Sequence, residues 1–210
     1  MSRRTLTGIA LAVALAVLPT RGAASGSPPD DPLGGWRHGL AGSWVGDTFW
    51  SKAGSHYTIH SAAVSYLFST ARSGFFANVN VLFPLQVRQD GSSWATSGVY
   101  SPAVGLDLLL GWEWRFGVGP GLELEVGPGL HVGLVTLNGN AQYVSFSTAP
   151  VGVGGASVLR WRPGWTIGDV PLSLGATGAF TLDFFDPLHS EDLSIGLSMR
   201  LGLVVGLDWN

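Results

Sequence analysis

The C-terminal segment from Leu193 to Asn210 repeats with a period of two. Its odd positions are Leu193, Ile195, Leu197, Met199, Leu201, Leu203, Val205, Leu207 and Trp209, all apolar. Between them stand Ser194, Gly196, Ser198, Arg200, Gly202, Val204, Gly206 and Asp208, among which Val204 is the exception to a small or polar set. Successive strand side chains point to opposite faces, so this segment is a strand with one greasy and one polar side. It is also well beyond the ~5–6 residues of an ordinary soluble strand. A long strand with an unbroken apolar face suits a wall against lipid. The expectation is a transmembrane β-barrel that this segment closes.

The same alternation recurs seven times upstream. The first strand, Leu40 to Trp50, is irregular, because Val45 and Phe49 share a parity with Ser43 and Asp47. The second, Tyr57 to Phe68, sets Ala62, Val64, Tyr66 and Phe68 against Ser61, Ala63 and Ser65. In the third, the residues from Phe75 through Val79, Val81 and Phe83 to Val87 oppose Asn78, Asn80, Gln86 and Arg88. The fourth places Val104, Leu106, Leu108, Leu110, Trp112, Trp114 and Phe116 opposite Asp107, Glu113 and Arg115. The fifth runs from Leu122 to Leu134 with Glu123, Glu125 and His131 on its polar face. The sixth carries Arg160 and Arg162, and the seventh, Leu172 to Phe184, carries Asp183. Eight is an even number, as bacterial single-chain barrels require, and the fold class expected is all-β, an eight-stranded antiparallel transmembrane up-and-down β-barrel.

A soluble β-sandwich also alternates, so composition has to choose. Only 12% of the chain is charged, against about 25% in a typical soluble domain, and Lys52 is the sole lysine. The connections differ in kind: Ser69–Ser73, Gly119-Pro120-Gly121 and Pro163–Pro171 are compact, whereas Gln89–Ser101 and Asn138–Thr148 are long and polar. Strands running toward the compact side end in apolar-face aromatics: Tyr66 and Phe68, then Trp112, Trp114 and Phe116, then Trp161, then Trp209. Amphipathic rings collect at headgroup level, and a sandwich has no reason to gather them at one end.

The N-terminus reads as an address rather than as fold. Arg3 and Arg4 precede an apolar run from Gly8 to Leu18, Pro19 breaks it, and Gly22-Ala23-Ala24 offers a cleavage site. Residues 1–24 are therefore expected to be a signal peptide, 25–38 a proline-bearing leader, and 39–210 the barrel domain. The arginine pair is not taken as a twin-arginine signal, since that route exports folded proteins and a lipid-facing barrel folds only at its membrane. Without Arg3, Arg4 and Arg21, eight of the eleven basic residues remain against fourteen acidic ones. That balance disfavours nucleic acid as a partner.

An eight-stranded barrel is just wide enough for side chains to fill it, so Asp107, Glu113, Arg115, Glu123, Glu125, Arg160, Arg162, Asp183, Arg200 and Asp208 are expected to neutralise one another inside. A three-residue loop at Gly119-Pro120-Gly121 would set Val118 opposite Leu122 and Arg115 opposite Glu125. His131 is expected to be an interior hydrogen-bonding group near Glu123 and Glu125 or their neighbours, with a pH-responsive role as the alternative. Pro84 and Pro128 fall inside strands, which calls for a bulge at each or a position outside the hydrocarbon layer.

Taken together, the leader, the eight strands and a last strand apolar at every second position up to an aromatic resemble the small bacterial outer-membrane barrels of the OmpA, OmpX and OmpW-like group. The resemblance covers the whole chain after the signal peptide and rests on pattern. It implies an outer-membrane location, surrounding lipid and lipopolysaccharide, and recognition of the last strand by the barrel-assembly machinery. Here the aromatic Trp209 is followed by Asn210, a departure from the usual terminal aromatic.

The function expected is structural or surface-interacting, exerted through extracellular loops, with a small channel for ions or apolar solutes as the alternative. A lipid A-modifying enzyme is the third reading. Resemblance to the lipid A deacylase would call for histidine and serine two apart, but His60-Ser61 and His189-Ser190 are adjacent and so face opposite ways. His189-Ser190-Glu191 is the nearest approach to a triad. The glycine strings lack a following helix, and His56 and His60 stand ~13 Å apart along a strand. No catalytic residue, cofactor or metal is therefore expected.

Overall fold

The computed structural model describes residues 35–51, 56–70, 74–90, 92–96, 99–139, 145–188 and 193–209. The expected signal peptide and most of the leader lie outside these residues. Eight long strands form a ring: β1 (Trp36–Ser51), β2 (His56–Thr70), β3 (Phe75–Gln89), β4 (Tyr100–Trp112, continued as Trp114–Gly119), β5 (Leu122–Gly139), β6 (Val151–Trp161), β7 (Val170–Phe185) and β8 (Leu193–Trp209). Each pairs antiparallel with the next in sequence. The ring closes where β1 meets β8, from Trp36 opposite Trp209 to Ser51 opposite Leu193. Both termini of the ring lie at one end of the cylinder, called here the near end; the compact turns share it. The two longest connections, 90–99 and 140–150, are at the far end.

The irregular first strand is thus paired along its whole length. Val45 and Phe49 are buried inside with Asp47, while Trp44 and Trp50 face out. They break the polar pattern because the bore is apolar at that level. There Val45, Phe49, Ile59, Ala63, Leu82, Val87, Val135 and Leu137 form one cluster. β1 also begins at Trp36, ahead of the expected barrel boundary at 39, because Trp36 stacks on Phe68 at 4.8 Å and Arg37 reaches into the bore.

Barrel dimensions follow from register. A line of paired residues runs Gly39, Leu67, Asn78, Leu109, His131, Gly152, Asp183, Gly196 and back to β1 at Phe49. The circuit starts at residue 39 and ends at residue 49, a stagger of ten. Ten residues are about 33 Å of strand, set against about 38 Å for eight inter-strand spacings, which tilts the strands by roughly 40° and gives a backbone radius of about 8 Å. Side chains from opposite walls meet at that radius.

The outward face carries the belt of a membrane barrel. Leu203 is 76% exposed and Leu130 67%, with Leu106, Val132, Phe180, Leu201 and Val205 exposed beside them. Fully exposed leucines in such a band have no place in water. At the near end Trp36, Trp112, Trp114, Phe116, Trp161 and Trp165 are exposed as a girdle, as their spacing implies. The side chain of Trp209 is not among those described.

Three local expectations change. At Pro84 the expected bulge is present: Ser61 pairs with Pro84 but His60 with Gln86, leaving Leu85 extra. This flips the parity beyond it, so Val87 turns inward and Arg88 outward, the reverse of simple alternation. At Pro128 no register shift occurs. Pro128 pairs with Gly155 on one side, and the missing donor is absorbed by a gap in β4 at Glu113 on the other. At the tight turn Gly119, not Val118, opposes Leu122, so Val118 is bulged out and the loop is Pro120-Gly121. Gly121 takes φ 67°, which suits glycine.

The polar connections also fold back onto the sheet. Ser92–Ala95 pairs with the end of β3 and Phe146–Thr148 with the end of β5. Thr96 is buried, donating its hydroxyl to the Pro84 carbonyl, and Phe146 packs on the far apolar cluster. Asp186 accepts from the Thr148 hydroxyl at 2.5 Å and from the Ala149 amide at 3.1 Å, tying two far-end connections together.

Candidate functional site

Within the bore, the charged residues singled out from sequence all point inward, and they separate into two layers. At the near end four arginines meet four carboxylates. Arg160 holds Glu125 in a two-pronged contact, Nε to Oε1 and Nη2 to Oε2, both 3.3 Å, and donates to Ser173 at 3.0 Å. Arg37 donates to Glu125 at 2.8 Å and to Glu123 as well. Arg162 bridges Asp208 at 2.7 Å and Glu123 at 3.2 Å. Arg115 does oppose Glu125 in register, but its nearest carboxylate is Glu113 at 2.6 Å; Glu125 is 3.8 Å away. Arg115 also donates to Ser69 at 3.1 Å and to the Thr70 carbonyl. Seven of the eight strands contribute to this layer, which is electrically balanced.

The second layer lies midway. His131 does not join Glu123 and Glu125. Its Nε2 is 3.0 Å from Asp107 and its Nδ1 is 2.5 Å from Asp183. Six or more residues along one strand put Glu125 some 20 Å from His131, in the other layer. Asp107 also accepts from Arg200 at 2.7 Å and from Asn80 at 2.7 Å. Each ring nitrogen of His131 thus has a carboxylate within hydrogen-bond distance, an arrangement that suits a charged imidazole. Asp47 is buried here too, and sequence reading had not counted it among the interior charges. Its parity with Ser43 was the available signal. The layer therefore sets Asp47, Asp107 and Asp183 against Arg200 and His131. Asp47 Oδ2, Asn80 Oδ1 and Arg200 Nε are buried without a hydrogen-bond partner among the described residues.

Apolar clusters fill the spaces between. Ala41, Leu67, Val158 and Val204 cover the near layer, Phe76, Leu109 and Ala156 adjoin them, and the Val45–Leu137 cluster seals the far end. Some inward glycines sit hard against the backbone of the adjacent strand. A Cβ on Gly127 would lie 2.0 Å from the Trp112 carbonyl oxygen, and one on Gly152 would lie 2.1 Å from that of Leu182. At these two positions glycine is thus required by the close approach of the neighbouring strand.

No group of three or more metal-ligating side chains occurs among the described residues. His56 lies 3.3 Å from Asp90 and His60 stacks on Trp44, so the two histidines have separate surroundings. The His189-Ser190-Glu191 segment lies outside the described residues.

No family model and no curated protein matches this chain. Among solved structures it is similar to the crystal structure of Neisserial surface protein A, at 9% identity and a TM-score of 0.47, over 82% of this chain and 96% of that one. What the chain's own geometry establishes is an eight-stranded antiparallel barrel with a lipid-facing exterior and a filled, charge-paired interior.

Proposed function

We propose that this is an outer-membrane barrel that does not conduct, and that acts as a structural or surface-interaction protein through its far-end connections, which face the cell exterior. The observation that carries this reading is the occupied bore: two ionic layers and a far apolar cluster lie in series across a cylinder of about 8 Å backbone radius. The compact connections at the near end suit the periplasmic side, as does the aromatic girdle there. A C-terminal strand apolar at alternate positions suits handling by the barrel-assembly machinery, and the apolar belt suits contact with outer-membrane lipid.

Planar-bilayer recording tests it. The refolded chain is expected to be electrically silent, while Arg160→Ala combined with His131→Ala, Phe49→Ala and Leu137→Ala, which thins all three obstructions, is expected to give steps. Reproducible unitary conductance from the unmodified chain would replace the plug with the channel reading.

A further inference from the structure

The outer belt is not equally apolar all round. On β6, β7 and β8 it stays greasy toward the far end, with Val153, Leu182, Phe184 and Ile195 all exposed. On β1, β2 and β3, Leu85 apart, it gives way to polar and aromatic groups at the same end. Register places them in rows: Gly46, His60 and Gln86; Thr48, Thr58 and Arg88. Trp44 and Trp50 flank the rows, 41% and 37% exposed. With strands ~4.8 Å apart, three of them offer a face about 10 Å wide, the size of a sugar ring with its phosphate.

Three features show that this face is built. The bulge at Leu85 turns Arg88 outward, and there it makes no ion pair or side-chain hydrogen bond among the described residues. Asp90 is held by His56 instead, accepting from its backbone amide at 2.9 Å. Trp44 lies flat over Gly46, where a Cβ would come within 2.7 Å of the ring, and stacks on His60 at 5.5 Å. An unpaired, outward guanidinium and two exposed indoles on a lipid-facing wall complement an anionic sugar lipid.

We infer that this face docks the phosphorylated sugar headgroup of an outer-leaflet glycolipid, with Arg88 on the phosphate and Trp44 against the sugar. The inference rests on the orientation proposed above, in which the far end is exterior. The full refolded chain in neutral detergent micelles is titrated with bisphosphorylated lipid A and with its dephosphorylated form. Wild type is expected to bind the phosphorylated form at least tenfold more tightly. Arg88→Gln loses about tenfold, the scale of one charge-assisted contact, and Arg88→Lys retains most of the affinity. The heat-dependent gel shift confirms that each variant is folded. Equal binding by wild type and Arg88→Gln, indifference to the phosphates, or displacement by excess inorganic phosphate overturns the docking. Orientation is read separately from Ser92→Cys in this cysteine-free chain. Labelling by an impermeant maleimide on intact cells is expected, and its failure would overturn the orientation itself.

Discussion

Gly127 and Gly42 are both strand glycines, yet only one is held there by sterics. A Cβ at Gly127 would meet the Trp112 carbonyl oxygen at 2.0 Å and Glu113 Cα at 2.6 Å, whereas nothing lies within 4 Å of one at Gly42. Gly127→Ala is expected to destabilise the barrel by about 3 kcal/mol, the upper part of the overpacking range, and Gly42→Ala to leave it unchanged or slightly stabilised. Urea unfolding in lipid vesicles distinguishes them. At His131 the issue is charge. His131→Leu leaves Asp107 and Asp183 facing an alkyl group in a sealed interior, at a cost of about 3–5 kcal/mol. Adding Asp183→Asn should recover part of that loss, because Asp107 keeps Arg200 and Asn80 while Asp183 is the carboxylate left without a charged partner; no recovery would show that the layer is not held by these contacts.

At the scale of the strand, alternation was legible wherever the bore is polar and misleading where it is not. β8 and β5 as far as Leu134 read correctly because their inward sets are mainly Gly, Ser, His, Arg and acids, with Val204 the apolar exception. β1 did not, because its inward Val45 and Phe49 belong to an apolar layer that no single strand reveals. Beyond Leu85 one extra residue reversed the faces of Val87 and Arg88, and a period-two argument has no means of placing that step. The closure register gives a direct test. Ala41 and Val204 are Cα partners across the β1–β8 seam and both point inward. The pair Ala41→Cys and Val204→Cys is expected to oxidise to an intramolecular disulfide, whereas Ala41→Cys with Gly202→Cys, displaced by two residues, is not. Mass spectrometry after non-reducing digestion reports which bond forms. A preference for the second pair would refute the register.

For the whole molecule, the membrane decides what each outward position tolerates. Leu130 sits mid-belt, 67% exposed, while Val118 is exposed on the near-end turn beyond the girdle. Leu130→Arg is expected to cost roughly 2–4 kcal/mol of stability in vesicles and Val118→Arg about 0–1, since the penalty depends on depth. Equal costs at the two positions would mean that no hydrocarbon layer surrounds the barrel. The amino-acid sequence by itself determined the class of fold, the number and direction of strands, which face of most strands meets lipid and most of the charges that lie inside, Arg37 and Asp47 being missed. It did so because lipid and bore impose opposite demands on neighbouring side chains. Only the tertiary structure decided which inward charges meet. A stagger of ten carries each register line around the bore, so His131 reaches Asp107 and Asp183 and misses the glutamates on its own strand. Partnership in a barrel is set by shared height along the axis, and height depends on register summed over every seam, which no one segment contains.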